Sequence, residues 1–339
     1  MTRYLILAEG FSADPHYGKT MRGVLRYRRD DVVAILDSTR GAGETDDGVP
    51  VVATVADALR FDPDTALVGV ATQGGRFPPA WLELLRSCIG NGLHVENGLH
   101  VFLGDDPELR ELAARHGVEL RDLRRPPADL STATGANLDV PGTIVLTVGS
   151  DCAIGKMTVA LELDLEARRR GLASIFVPTG QTGIAIAGWG ISVDAVVADF
   201  IAGAAERLVV EAAQRGGELL WIEGQGSILH PVYSGVTLGL FHGSAPHLLL
   251  LCHEAGRTEI EGAGGGPHPI PPLRELVELY ERLALPARPA RVAAVALNTR
   301  TLAEAEARAA VAAAQEETGL PADDPVRFGA GKLVDAVLG

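Results

Sequence analysis

Between residues 143 and 158 an apolar, β-branched run (TIVLTV) leads into a glycine-bounded loop (GSDCAIGK) and then a helix-forming stretch. A strand, a phosphate-cradling loop and a helix in that order fit few folds. They call for a parallel α/β sheet with the loop at the C-terminal end of a strand. Loop N–H groups and the positive end of the new helix hold a polyphosphate without bulky side chains. Gly149 and Gly155 permit the turn and the close approach of backbone to ligand. Ser150, Ala153 and Ile154 complete the cradle, and Lys156, expected to project from an exposed loop, adds a point charge for the outer phosphates. Five residues separate the two glycines, and Met157 stands where Ser or Thr usually follows the lysine. Thr158, one place later, is the substitute Mg²⁺ ligand. Cys152 lies inside the loop, where a helix N-terminus and a lysine lower a thiol's pKa; its expected role is that of a small residue filling the loop.

A chain of 339 residues is long for one core and comfortable for two domains. With 47% hydrophobic residues it folds, and a net charge of −14 argues against nucleic-acid or membrane partners. The three cysteines, Cys88, Cys152 and Cys252, are far apart and form no CxxC pair, which points to reduced thiols in the cytoplasm. The chain opens on no signal segment, and no apolar run approaches a membrane span.

In the first half, short apolar strands at 4–8, 32–36, 51–52 and 66–70 alternate with helical patterns at 55–60, 79–89 and 107–116. Such alternation predicts a parallel α/β sheet. Residues 121–142 break the rhythm with an Arg-Arg-Pro-Pro run and a small polar tract. They divide the chain into residues 1–125, a linker at 126–142 and a phosphate-loop domain at 143–339. The second half alternates again, with strands at 144–148, 174–177, 219–222, 248–252 and 292–297 and helices at 158–170, 193–215, 272–283 and 302–318. Five strands with crossover helices make a doubly wound sheet, whose ligands gather at the strand C-termini. Residues 262–266 and the proline-rich run after them read as a flexible loop.

Each polar motif of the second half sits at such an end. Glu223 follows the 219–222 strand, where an acid binds Mg²⁺ directly or through water, and Gln225 and Ser227 follow it among glycines that let a ligand approach. Thr179, Gln181 and Thr182 offer hydroxyl and amide groups to a small polar substrate or a γ-phosphate. Asp194 and Asp199, five residues apart on an expected helix, do not share a face well. His253 and Arg257 supply an acid/base and an anion clamp. Asn298 ends the last strong strand, at an edge suited to reading a purine base. His230 and His242 flank a helix and are expected to cap or pack, and the histidine spacing reads as no zinc site. The first half has no GxGxxG; Gly69, Gly74, Gly75 and the turn at 97–100 mark strand ends for a second ligand pocket.

Taken together, GSDCAIGKMT, FVPTGQTGIAIAGWGISVDAVVADFIAGAAE and WIEGQGSILHPVYSGVTLG resemble a bacterial family long catalogued as a domain of unknown function. GRFPPAW and ENGLHVFLGDD extend the likeness through the first half. Some members of that family are described as D-glutamate N-acetyltransferases. The resemblance implies a Rossmann-like N-terminal domain joined to a P-loop NTPase-like domain, and acyl transfer from acetyl-CoA to the amine of a small acidic amino acid. The loop spacing and the Glu-Gly-x-Gly run also resemble dethiobiotin synthetase, which uses MgATP to phosphorylate a carboxylate or carbamate. That likeness implies phosphate and Mg²⁺ roles for Lys156 and Thr158, a metal- or substrate-orienting role for Asp151 and a Mg²⁺ role for Glu223; Met157 departs from its pattern. The two likenesses conflict, because a thioester is already activated. Either the loop holds the pyrophosphate of acetyl-CoA, or ATP activates a carboxylate for amide ligation. A nucleotide-binding switch protein is the third reading, and a homo-oligomer is compatible with all three.

Overall fold

Tyr4–Leu7 and Thr65–Val68 are buried along their whole length, as strands covered by helices on both faces are. The computed structural model describes residues 2–339 except 15–16, 42, 72–76, 78–80, 263 and 265. Gly74, Gly75 and the expected helix start at residue 79 therefore lie outside the described residues. The chain forms two units, Met1–Arg125 with Ile184–Ser192, and Pro126–Gly183 with Val193–Gly339.

The first unit holds β1 (Tyr4–Leu7), β2 (Val32–Leu36), β3 (Thr45–Asp46), β4 (Val49–Val52), β5 (Thr65–Val68), β6 (His94–Asn97) and β7 (Leu120–Asp122) in the order β3-β4-β2-β1-β5-β6-β7. All pairings are parallel except β3 with β4. β3, β6 and β7 had no expected range, although the turn at 97–100 was read as a strand end. The sequences of β6 and β7, HVEN and LRD, are short and carry charges, so no apolar run announces them. The core gathers Tyr4, Leu5, Ile6, Leu67 and Trp81, and Ile184 and Ala185 belong to it. The helix Pro107–His116 follows the rules of its ends: the Asp106 carboxylate accepts two first-turn amides, proline opens it and Gly117 closes it at φ +66°.

The second unit holds β8 (Thr143–Gly149), β9 (Ser174–Val177), β10 (Leu219–Ile222), β11 (Leu248–Glu254), β12 (Arg291–Asn298) and β13 (Ala322–Asp323) in the order β13-β12-β11-β8-β10-β9, all parallel. β13, only two residues long, is the one strand here without an expectation. The helix expected from residue 193 begins at Ile201 and ends at Gln214. Before it come two 3₁₀ turns, Val193–Ala195 and Ala198–Phe200, on either side of Val196 and Val197, whose β-branching disfavours helix. Asp194 and Asp199 lie in those turns, so spacing along a helix does not govern them. Residues 126–142, expected as a linker, are fastened within the second unit. Glu206 accepts N–H bonds from Thr134 and Gly135, the Asn137 amide donates to Gly243 O (2.6 Å), and Arg207 pairs with Asp129 (2.8 Å). No described helix is long and apolar enough to cross a membrane.

Candidate active site

β8 lies between β11 and β10, and the helix Lys156–Arg169 begins at the lysine itself. The loop reaches that helix through left-handed residues at Ala153 (φ +54°) and Gly155 (φ +109°). Lys156 is buried, contrary to the expectation of an exposed loop side chain: 6% of its surface meets solvent. Its Nζ donates to Asp151 O at 2.7 Å. Burial pushes its pKa down, opposed by Cys152, Cys252, Asp151 and Glu223 around it. The glycines make room for its stem. A Cβ on Gly149 would stand 2.7 Å from Ile154 Cδ1, and one on Gly224 only 1.7 Å from Thr147 O. Because the helix starts at Lys156, Met157 takes the place after the lysine, and Thr158 lies about 100° further round the axis.

Asp151 is fully buried and held on both oxygens. Oδ1 accepts the Cys152 N–H (2.6 Å), and Oδ2 accepts from Arg257 (2.8 Å) and from Glu261 N–H (2.9 Å). Arg257, expected to clamp a substrate anion, also pairs with Glu254 and Glu261, so three carboxylates surround it. Ser150 Oγ lies 2.9 Å from His253 Nδ1, and burial lowers the His253 pKa, which keeps the imidazole neutral at pH 7. His253 and Arg257 border a cleft of about 500 Å³ lined by Ile270, Pro271, Leu273 and Ala313. Asn298, expected to read a base, donates its amide to Ile154 O (3.2 Å) and so braces the loop.

Glu223, at the end of β10, is buried, and its Oε2 accepts N–H bonds from Thr179 (2.9 Å) and Gly180 (3.1 Å). Burial dominates these bonds and raises its pKa to about 7, with Asp194 adding to the rise. Thr179 Oγ1 donates to Glu223 O and accepts from Gln225 Nε2. Gln181 and Thr182 open the helix Gln181–Ala187, where a polar loop was expected. Ser227 is buried and accepts the Leu229 N–H (3.2 Å). The candidate site residues singled out from the second half therefore lie at the ends of β8, β9, β10, β11 and β12.

Two residues of this site carry no signal in the sequence. Tyr280, on the helix Leu273–Arg282, donates to Gly149 O (2.7 Å), and burial lifts its phenol to about 12. His230, expected to cap or pack, is buried with a ring nitrogen within 4.8 Å of Cys152 Sγ and an Asp151 carboxylate oxygen. In the first unit, two carboxylates at described strand ends are engaged by neighbouring loops. Asp37 accepts from Gly10 N, Ser12 and Thr39, and Asp122 accepts from Asn97, Leu103 N and Gly104 N. The 97–100 turn, expected to line a ligand pocket, is knitted by Asn97, which donates to Val101 O and accepts the Leu99 N–H.

Residues 37–126 match a family model described as "Domain of unknown function (DUF1611_N) Rossmann-like domain". Residues 131–334 match one described as "Domain of unknown function (DUF1611_C) P-loop domain". A D-glutamate N-acetyltransferase of Tritonibacter scottomollicae is 38% identical over 337 residues, which cover 99% of this chain and 98% of that one. A second protein of that name, from a Pseudoalteromonas species, is 34% identical over 282 residues, or 83% of each chain. A crystal structure of a DUF1611 family protein from Anabaena variabilis superimposes with a TM-score of 0.91 at 42% identity, covering 100% of this chain and 99% of that one.

Proposed function

From a chain that belongs to the DUF1611 family, with its Rossmann-like and P-loop domains, we propose an N-acetyltransferase that moves an acetyl group from acetyl-CoA to the amine of a small acidic amino acid. D-glutamate, the substrate in the relatives' names, is the first choice. One observation carries the reading: the phosphate loop and an apolar-walled cleft share an edge, where Ser150 of the loop touches His253 of the cleft.

In this reading Lys156 and the loop amides hold the phosphates of the thioester substrate, with Lys156 exchanging its bond to Asp151 O for a phosphate oxygen. The cleft takes the apolar arm. Neutral His253 accepts a proton from the substrate ammonium. The free amine adds to the thioester carbonyl, the carbon–sulfur bond breaks, and the second proton lost by the amine nitrogen goes to the departing thiolate, which leaves as the thiol.

A Mg²⁺-dependent phosphorylation is supported less well. Glu223 Oε2 already accepts two backbone amides, and Met157 occupies the place of the usual hydroxyl ligand. The residues fit a polyphosphate but offer Mg²⁺ little, so no step is assigned to it.

The test is acetyl-CoA with D-glutamate in the absence of nucleotide, following N-acetylglutamate by mass spectrometry and thiol release in parallel. Stoichiometric product and thiol are expected. ADP release that requires both an acid and an amine would replace this reading by an ATP-dependent ligase. Tight nucleotide binding with no small-molecule turnover would replace it by a switch protein.

A further inference from the structure

We propose that Asp151, Cys152 and His230 form a binding site for a thiophilic divalent cation, with zinc the ion that fits best. The inference rests on donor geometry and stands apart from the acetyl-transfer reading. A carboxylate oxygen of Asp151, Sγ of Cys152 and a ring nitrogen of His230 lie within 4.8 Å of one another. Tetrahedral zinc holds such ligands at roughly 2.0–2.3 Å, so donors about 3.5 Å apart suffice and small side-chain rotations close the set.

The surroundings already orient two of the three. Glu261 donates its N–H to Asp151 Oδ2 (2.9 Å), and its carbonyl oxygen lies 3.4 Å from His230 Nε2. One backbone unit thus fixes a carboxylate and an imidazole together, as the outer shell of a metal site does. The ring nitrogen that turns to the ion gives up one of two contacts: that of Nε2 with Glu261 O, or that of Nδ1, which accepts the Val232 N–H at 3.2 Å. Asp151 Oδ1 accepts the neighbouring Cys152 N–H, and a carboxylate oxygen has a second lone pair for an ion.

Thiolate and imidazole select a borderline-soft ion over Mg²⁺ or Ca²⁺, which require oxygen donors. Thiolate and carboxylate balance the two charges of the ion, while Arg257 stays paired with Glu254 and Glu261. Asp151 and His230 are buried and Cys152 is partly exposed, which gives an ion a way in. Three protein ligands leave a fourth position for water or a substrate oxygen.

The test uses the full-length protein, stripped with chelator, dialysed against micromolar zinc and assayed by elemental analysis. Cobalt replaces zinc in a parallel spectroscopic sample. One zinc per chain and a near-ultraviolet thiolate-to-cobalt band are expected. Cys152→Ser should lose the band and His230→Gln the stoichiometric zinc, each with the metal-free melting curve of the parent. If His230→Gln fails to fold, Cys152→Ser decides alone, since that side chain is partly exposed. Absence of stoichiometric zinc in the parent, or equal zinc in parent and Cys152→Ser, would overturn the proposal. N-acetylglutamate formation that persists in metal-free protein would remove the metal from the reaction while leaving the acetyl-transfer reading intact.

Discussion

Asp37 and Glu223 occupy the same kind of place, just beyond or close to the C-terminal end of a parallel strand, in sheets of similar build, yet their carboxyls are pushed in opposite directions. Burial pulls the Asp37 pKa upward, but hydrogen bonds from Ser12 and Thr39 and the Gly10 and Thr39 amides outweigh it, and the group is held below its ordinary range. Glu223 has the Thr179 and Gly180 amides and the Lys156 charge against deeper burial and the nearby Asp194, and it rises to about 7. Asp37 is therefore a fixed anion that ties down the loop after β1. Glu223 exchanges a proton near neutrality. Position at a strand end does not make an acid functional; the number of donors that surround it decides which of the two it becomes.

The most severe test adds a methyl group where the second site is most crowded. Gly224→Ala places a Cβ 1.7 Å from Thr147 O, between β10 and β8 and beside the Lys156 stem. It should cost more than about 4 kcal/mol in a denaturant titration, an effect reserved for severe overpacking. A change under 1 kcal/mol would mean that the strand ends are looser than described.

The two acids should next show opposite pH signatures. The Glu223 pKa is higher folded than unfolded, so its contribution is fully present below about 4.5 and is lost as pH rises to about 7, a decline of about 3 kcal/mol. Glu223→Gln should flatten that part of the stability profile. Asp37 is lowered on folding, so its contribution is present above its ordinary pKa near 3.8 and is lost as pH falls further. Asp37→Asn should cost about 2 kcal/mol at pH 7, where it breaks charge-assisted bonds, and progressively less as pH falls below about 3.8. Profiles of the same sign would break the comparison.

Lys156→Met keeps the buried stem and removes the charge. Acetyl-CoA binding should weaken about 10- to 100-fold by calorimetry, the loss expected for one charge-assisted contact. Unchanged affinity would detach the loop from the substrate. The smallest effect is a gain. Ala153 is exposed and left-handed at φ +54°, so Ala153→Gly should stabilise the protein by about 1 kcal/mol in thermal melts.

Much of this was legible in the sequence because it is written contiguously. The 219–222 and 174–177 strands were read to the residue, the phosphate loop declared itself in one run, and the long motifs pointed to the family and to two α/β sheets. What escaped depends on pairs far apart in the chain. Tyr280 meets Gly149 across 131 residues, and the Asp37 shell draws on Ser12, 25 residues away. The burial of Lys156 escaped for a related reason: it depends on Gly224, which no spacing rule links to the loop. β6 and β7 stayed hidden because strands bearing His94, Glu96, Arg121 and Asp122 show no apolar run.

The helix Gln181–Ala187 carries a consequence for how such a chain is inherited. Its first residues belong to the unit of the phosphate loop, whereas Ile184 and Ala185 complete the core of the other unit. The polypeptide thus passes from one unit to the other three times. A gene fragment ending at residue 125 would encode a first unit short of part of its own interior. Recombination that replaces residues 1–125 alone would set a new first half against the old chain's Ile184 and Ala185 in its core.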